Sequence, residues 1–359
     1  MGAMLGDRYR VGRHVGDGRM GEVYVGKDLE TNERVALKLL HRPLCSVAEQ
    51  VARFEREFRL TSQIDHPNVV RMLAFGKQTS GPLDGRHYLV MEFLEGRALD
   101  GLLEGGALPV PTVVHIGRQV AGALGAVHAQ GVVHRDLKPA NIQVLRRGAM
   151  PEVKVMDFGL GRLQGGDSEE LTDIGVRLGT AEYMSPEYIG HQQLDHRSDL
   201  YALGAVLFTL LTGETPFTGR SMQVMQAHVT KAPPRAASVA ERVPAWLDDL
   251  VDQLLSKNPE ERPASAEAVE KILADHAETP QPKSRTRTRP PPPGSLPPGA
   301  GVGLSSVSHL GREREPVYPE PKPAVPAAPV AVTVGLLGMA IAGMAILGFF
   351  LGVVILSVL

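Results

Sequence analysis

The sequence predicts an α+β fold with two lobes, a small β-rich lobe followed by a larger helical one. Strand-like runs of alternating or β-branched residues cover Tyr9–Val15, Val23–Gly26 and Arg34–Leu40, separated by a glycine cluster and a polar turn. Beyond Gly96 the apolar residues recur at helical spacing instead. A chain of 359 residues with 43% hydrophobic content is long enough to bury a substantial core in this arrangement.

Further elements follow from the same patterns. Apolar residues recur at helical spacing among charges between Val47 and Ile64, which predicts an amphipathic helix after the three strands. The run His87–Leu94 returns to strand character and completes the small lobe. In the large lobe the pattern predicts helices over Val113–Ala129, Asp199–Leu211, Met222–Val229, Ala245–Ser256 and Ala264–His276.

Charge and cysteine content exclude several classes of function. A net charge of −2 and an isoelectric point near 6.6 provide no long-range attraction to nucleic acid, so no nucleic-acid partner is expected. Cys45 is the single cysteine, which excludes an intramolecular disulfide framework and any zinc site built on several cysteines. We interpret Cys45 as an incidental thiol in a reducing cytoplasm.

The composition changes after the last predicted helix. Half of the 28 prolines lie between Pro280 and Pro329, mixed with Gly, Ser, Arg and Glu. Such a segment does not bury enough apolar surface to fold, so residues 277–329 are predicted to be a Pro-rich disordered linker.

The last thirty residues contain no charged side chain. As a helix this segment would be on the order of 45 Å long, which exceeds a hydrocarbon core of about 30 Å. We therefore predict a single transmembrane helix over residues 330–357, with membrane lipid as a partner. Basic residues precede it, which favours a cytoplasmic location for both lobes and a single-pass protein of the cell membrane. Gly348 and Gly352 fit the small-xxx-small pattern of packed membrane helices, which makes a homodimer a candidate assembly.

A glycine-rich segment lies between the first two predicted strands. Gly16–Val23 satisfies the pattern G-x-G-x-x-G-x-V, in which missing side chains let backbone N–H groups approach phosphates closely. A dinucleotide-binding loop would have a helix after it, whereas a strand follows here. The context therefore favours a loop that covers the phosphates of ATP.

Lys38 lies in the third strand, on the same face as Ala36. Its ammonium group is a point charge suited to phosphate oxygens, and the role requires an acidic partner from the following helix. Glu49, Glu55 and Glu57 are available there, and we select Glu57.

Two polar segments of the large lobe carry the chemistry. His134–Asn141 reads His-Arg-Asp-Leu-Lys-Pro-Ala-Asn, and Asp157-Phe158-Gly159 follows a short strand-like run. Asp136 is a candidate base for a hydroxyl proton, while Asn141 and Asp157 offer the hard oxygen ligands that Mg²⁺ prefers. Transfer of a phosphoryl group from ATP needs these components, because the protein mainly aligns the acceptor and holds magnesium against the phosphates.

In order and content these motifs resemble the catalytic domain of bacterial, Hanks-type Ser/Thr protein kinases, over about three-quarters of the chain. The resemblance implies a bilobal protein-kinase-like fold over residues 8–276, with lobes at 8–93 and 97–276. It implies ATP and Mg²⁺ as cofactors, with Mn²⁺ as a substitute, and protein substrates as partners. By the same resemblance Lys38 pairs with Glu57, Asp136 is the catalytic base, and the metal ligands are Asn141 and Asp157. The implied ATP-binding residues are Val15, Gly16, Asp17, Gly18, Arg19, Met20, Gly21, Val23, Ala36, Lys38, Met91, Glu92 and Leu94.

The resemblance also indicates which side-chain hydroxyls accept the phosphoryl group and which residues support the fold. Lys138 and Thr180 are similar to residues of Ser/Thr kinases that contact the γ-phosphate and the catalytic aspartate. Glu187 is expected to pair with Arg262, and Asp199 to support the catalytic loop. Candidate autophosphorylation sites are Thr172 and, as second choice, Ser168.

Three alternative functions make different demands on the sequence. A pseudokinase scaffold would lack the lysine, the base or a metal ligand, and all are present in this chain. A small-molecule phosphotransferase of related fold would lack the Lys-Pro after Asp136 and the Pro-Glu ending at Glu187. A membrane tether without enzymatic activity would leave residues before 280 unexplained.

Overall fold

A six-stranded antiparallel sheet forms the N-terminal lobe in the computed structural model, which describes residues 3–18, 20–145, 150–158 and 181–277. The strand order is β1-β2-β3-β4-β6-β5, with one helix, α1, packed beside β5. The bounds are β1 Met4–Leu5, β2 Tyr9–Asp17, β3 Gly21–Asp28, β4 Arg34–Leu40, α1 Ala48–Thr61, β5 Met72–Lys77 and β6 His87–Glu92.

Alternation in β4 divides the two faces of this sheet. Val35, Leu37 and Leu39 are at most 2% exposed and pack into the core of the N-terminal lobe. Ala36 and Lys38 therefore lie on the opposite face. That face contributes to the candidate site described below.

Helices dominate the C-terminal lobe. Helices α3 and α5 are apolar on most sides and supply much of the main core, as expected for helices surrounded by protein. Gly213 ends α5 with φ of +80°, a left-handed cap that glycine adopts without steric cost. The bounds are α2 Asp100–Leu103, α3 Val110–His128, α4 Pro186–Ile189, α5 Arg197–Thr212, α6 Ser221–Thr230, α7 Ala236–Val239, α8 Ala245–Leu254 and α9 Ala266–Ala277.

A small second sheet positions the polar segments. Strands β7 (Gly96–Ala98), β8 (Ile142–Leu145) and β9 (Glu152–Val155) pair in that order, all antiparallel. The segment His134–Asn141 connects α3 to β8, and Asp157 follows β9. Because β8 and β9 are neighbours, the two polar segments predicted to carry the chemistry lie side by side.

The predicted bilobal fold, with a β-rich and a helical lobe, is confirmed. Strands β1, β5, β7 and β8 were missed. Strands β1, β7 and β8 have only two, three and four residues, and β5 lacks clear alternation because most of its side chains are half-buried. Within the described residues no helix is both long and apolar enough to cross a membrane. Residues 278–329 of the predicted linker and the predicted span at 330–357 lie outside the described residues, so both stay predictions.

Candidate active site

Lys38 connects the two lobes. Its Nζ lies 3.3 Å from Oε1 of Glu57 on α1 and 2.7 Å from Oδ1 of Asp157 in the C-terminal lobe. The other two glutamates that the sequence offered have different partners, since Glu49 contacts Arg53 and Glu55 contacts Arg59. Glu57 is therefore the helix carboxylate that contacts Lys38.

The charges in this triad shift one another. Burial lowers the pKa of Lys38, but the negative charges of Asp157 and Glu57 outweigh burial and raise that pKa overall. The positive charge of Lys38 lowers the pKa of Asp157, whereas burial raises the pKa of Glu57. The side chain of Asp157 is 44% exposed and that of Glu57 only 6%. Asp157 is thus the more accessible of the two carboxylates.

Asp136 is held by two neighbours from its own loop. Lys138 Nζ lies 2.9 Å from each carboxylate oxygen of Asp136. Asn141 donates from Nδ2 to the backbone oxygen of Asp136 at 2.7 Å and to its Oδ2 at 3.0 Å. These contacts fix the Asp136 carboxylate in position. Its side chain is 36% exposed, so it remains accessible to a bound substrate.

Asp199, on α5, holds the backbone of the loop that contains Asp136. Its two oxygens accept hydrogen bonds from the backbone N–H groups of His134 at 2.7 Å and Arg135 at 2.8 Å. Arg135 has φ of +66°, a sparsely populated conformation that surrounding contacts must maintain. Burial raises the pKa of Asp199. The hydrogen bonds to its carboxylate and the positive charge of His128 together outweigh burial, so the pKa is lowered overall. Asp199 is therefore an anionic acceptor in the core.

The oxygen atoms near Asp136 fit a hard divalent cation. Asn141 uses its amide nitrogen toward Asp136, which leaves its carbonyl oxygen as a ligand. Asp157, with φ of +51°, engages Lys38 through Oδ1 and has a second carboxylate oxygen. Among the described residues no group of three or more His, Cys, Asp and Glu is arranged to hold a metal by itself. Two protein oxygens suit Mg²⁺, which usually keeps waters and substrate phosphates as its remaining ligands.

The glycine-rich segment forms a closed hairpin end between β2 and β3. Gly18 N–H donates to the Gly21 carbonyl at 2.8 Å, and a ring nitrogen of His41 lies 3.0 Å from the Gly18 carbonyl. A Cβ at Gly21 would lie 2.1 Å from the Leu39 carbonyl oxygen, whereas one at Gly16 would meet nothing within 4 Å. Gly21 is thus required by the sheet itself, while Gly16 leaves open space.

The remaining predicted ATP-binding residues line up by register. Val23 pairs with Lys38 across β3 and β4, and Ala36 pairs with Met91 across β4 and β6. Glu92 directs its carboxylate to Arg71 N–H and Lys154 Nζ. Its side chain is therefore occupied, and its backbone N–H donates to the Arg71 carbonyl at 3.0 Å. Val15, Asp17, Met20 and Leu94 lie in the described segments that flank these strands.

Glu187 and Arg262 form a buried bidentate ion pair. Arg262 Nη1 lies 2.7 Å from Oε1 and Nη2 2.9 Å from Oε2 of Glu187, and the Arg262 side chain is fully buried. Ser198 donates to the same carboxylate at 2.7 Å. Burial raises the pKa of Glu187, but Arg262 outweighs it and lowers the pKa.

Some predicted site residues cannot be placed, and some contacting residues were not predicted. Arg19, Ser168, Thr172 and Thr180 lie outside the described residues. His41, which holds the glycine hairpin, and His128, whose Nε2 lies 2.8 Å from Asp199, were missed. Neither histidine belongs to a motif, and each acts across 23 or more positions in sequence, so a spacing argument had no signal for them.

Comparison with known protein families identifies the family of this chain. The model of the protein kinase domain matches residues 9–273. The chain belongs to the protein kinase family. Among its relatives, the serine/threonine-protein kinase pkn3 of Myxococcus xanthus is 42% identical over 276 residues, which are 75% of this chain and 50% of that protein. Pkn1 of the same organism is 41% identical over 274 residues, 75% of this chain and 38% of the relative.

Solved kinase structures agree with the fold. The crystal structure of the Mycobacterium tuberculosis PknI kinase domain superposes with a TM-score of 0.59 at 25% identity, covering 76% of this chain and 98% of that one. The chain spans half or less of the length of the two curated relatives described above. The similarity described here therefore concerns the kinase domain.

Proposed function

We propose that this kinase-family chain transfers the γ-phosphoryl group of ATP to Ser or Thr hydroxyls of protein substrates. The observation that carries the proposal is the meeting of Lys38, Glu57 and Asp157 beside an Asp136 held by Lys138 and Asn141. These residues supply a lysine for the phosphates, a base and oxygen ligands for magnesium, which phosphoryl transfer requires from the protein. Its relatives carry the name serine/threonine-protein kinase, which supports the same acceptor class.

Each residue has a defined task in this proposal. Lys38 holds the α- and β-phosphates, and Glu57 keeps the ammonium group in position. Asp136 accepts the hydroxyl proton of the acceptor, while the Lys138 ammonium contacts the γ-phosphate. Asn141 and Asp157 would hold Mg²⁺, which would neutralise the negative charge of the ATP phosphates. Mn²⁺ would serve as a substitute with the same oxygen ligands.

The rest of the cleft binds and orients the nucleotide. The hairpin from Gly16 to Gly21, including Asp17, Arg19 and Met20, covers the phosphates with its backbone N–H groups. Val15, Val23, Ala36 and Leu94 pack on the adenine ring, with Met91 at the rear of the pocket. The backbone after Met91 supplies the hydrogen bonds, since the Glu92 carboxylate is occupied by Lys154.

Regulation and location belong to the same proposal. Thr172, with Ser168 as second choice, is the proposed autophosphorylation site, because a new phosphate is able to pair with Arg135 beside the base. Thr180 is proposed to contact Asp136. The charge-free residues 330–357 are proposed to anchor a cytoplasmic kinase domain in the cell membrane, with residues 277–329 as the linker and a homodimer as the candidate assembly.

The enzymatic proposal is tested with radiolabelled ATP, Mg²⁺ and a generic protein acceptor, using the full chain. Asp136→Asn is expected to lower phosphate incorporation by about 100-fold or more, the usual contribution of a positioned base. Lys38→Met is expected to lower it as well, while Lys77→Met, which removes an exposed lysine of the same lobe, leaves it unchanged. Phosphoamino-acid analysis should return Ser and Thr. Equal incorporation by all four proteins would refute the proposal.

Membrane anchoring has its own test. In inverted membrane vesicles, added protease is expected to digest the kinase domain, because the proposed orientation exposes it. Deletion of residues 330–359 should release the chain from the vesicles. Full protection of the kinase domain would reverse the proposed orientation.

A further inference from the structure

Three basic side chains stand in one row across β2, β3 and β4. Arg10 pairs directly with Lys27, and Lys27 pairs directly with Arg34, in the register of the antiparallel sheet. Directly paired residues of an antiparallel sheet point to the same face, and like charges in such positions destabilise it. All three side chains are exposed. The three adjacent positive charges therefore repel one another, and a bound anion would reduce this repulsion.

Among the described residues, carboxylates neutralise this row only at one end. In the part of the protein that the structure describes, Arg10, Arg13 and Lys27 have no carboxylate within ion-pair distance. The nearby acidic side chains Asp28 and Glu30 are both paired with Arg8. Arg34 alone has a partner, Glu95, at 2.5 Å. That contact demonstrates that one end of the row accepts a carboxylate.

A cavity adjoins the row. It has a volume of about 380 Å³, is lined by all four cations, Arg10, Arg13, Lys27 and Arg34, and is bordered by Phe93. The Arg34 guanidinium lies 4.6 Å from the centre of the Phe93 ring, which fixes its orientation. Arg34 shares a face of β4 with Lys38 and lies four residues away, or about 13 Å along the strand. The cavity is therefore separate from the phosphate-binding end of the cleft.

We propose that this basic row is a docking site for an acidic peptide segment of a protein ligand. Two strand spacings separate Arg10 from Arg34, about 10 Å. This distance matches carboxylates three residues apart on a peptide in the polyproline II conformation, which has three residues per turn and a rise of about 3.1 Å per residue. Arg34 has further N–H donors besides the one that binds Glu95. A concave site fits a peptide better than the flat head-group surface of a membrane. The proposal concerns binding, so it stands or fails independently of phosphoryl transfer.

The test is fluorescence anisotropy with the full chain and a labelled peptide carrying Glu-Ala-Ala-Glu-Ala-Ala-Glu, which has no hydroxyl group to accept phosphate, measured without ATP and in saturating ATP. Arg10→Gln with Lys27→Gln is expected to weaken binding about tenfold, since charge-assisted hydrogen bonds are lost. The matched double variant Arg71→Gln with Lys77→Gln removes the same charge elsewhere in the lobe and should bind like the parent. Relief of repulsion predicts that the row variant is at least as heat-stable as the parent, which separates lost docking from misfolding.

Four results would overturn the proposal. They are equal binding by the parent and the row variant, equal binding of the same peptide with Gln in place of Glu, and displacement of the peptide by ATP. The fourth is row-dependent binding to vesicles of anionic lipid without binding of the peptide. The expected result is peptide binding that needs Arg10 and Lys27, weakens at about 0.5 M salt and is indifferent to ATP.

Discussion

The buried pair of Glu187 and Arg262 allows a quantitative prediction. Glu187→Gln removes the charge that compensates a guanidinium with no exposed surface, while preserving side-chain shape. Removing one partner of a buried ion pair costs about 3–5 kcal/mol, because the remaining charge is left without compensation. Gln keeps one acceptor for Arg262, so we expect a loss near the lower limit, about 3 kcal/mol in the free energy of unfolding.

The assay is urea unfolding of the full chain, followed by the fluorescence of Trp246. Glu95→Gln is the matched control: it makes the same chemical change in a pair whose side chains are 57% and 71% exposed. Exposed pairs contribute about 0–1 kcal/mol, so the control should be nearly silent. Arg262→Met combined with Glu187→Gln should cost less than the sum of the two single changes.

Acid dependence gives a second measurement on the same pair. Arg262 lowers the pKa of Glu187 below its ordinary value of 4.5 in the folded state. The unfolded state therefore binds a proton first as pH falls, and the contribution of the pair is lost below pH 4.5. Glu187→Gln should remove that part of the acid dependence. A loss below about 1 kcal/mol for Glu187→Gln, equal to that of Glu95→Gln, would refute the reasoning.

Further predictions concern buried titratable groups and the glycine hairpin. Burial lowers the pKa of His228 from 6.5 to about 4. As pH falls from 6.5 to about 4, the unfolded state binds the proton first, and the free energy of unfolding falls by up to about 3 kcal/mol. In urea unfolding, the stability of His228→Gln should vary less with pH than that of the parent. Burial lowers the pKa of Lys257 from 10.5 to about 8, so stability should rise from pH 8 to 10.5 in the parent relative to Lys257→Met, and parallel curves would contradict this. Gly21→Ala should destabilise the protein by over about 1 kcal/mol in thermal unfolding, while Gly16→Ala, with open space around it, should alter ATP affinity more than stability.

The sequence was most informative where function fixes residue types at fixed spacing. The residues of the segment from His134 to Asn141 were identified from their order alone. The order of strand and helix left Glu49, Glu55 and Glu57 as partners for Lys38, and the choice of Glu57 rested on the family resemblance. The long helices were also predictable, because their apolar periodicity extends over three or more turns. Their ends differ from the prediction by a few residues, since capping and fraying depend on neighbours that the sequence does not reveal.

Long-range contacts without a motif were beyond the sequence. His128 contacts Asp199 across 71 positions, and Arg86 donates to the Leu40 carbonyl and pairs with Glu22 at 2.7 Å. A histidine or an arginine of this kind has the same local pattern as a surface residue. Its partner is determined by the packing of distant elements, which only the folded chain reveals.

The contacts of Lys38 suggest how the fold and the proposed chemistry depend on each other. Its partners come from both lobes: Glu57 is buried on α1, and Asp157 follows β9 with its side chain 44% exposed. Burial disfavours the charged form of Glu57 and raises its pKa, and the positive charge of Lys38 acts in the opposite direction. Any nucleotide phosphate that drew Lys38 away from both carboxylates would leave a buried charge uncompensated. In the proposed reaction, phosphate binding would therefore favour a geometry in which Lys38 keeps Glu57 and releases Asp157, and Asp157 would then be free to hold Mg²⁺.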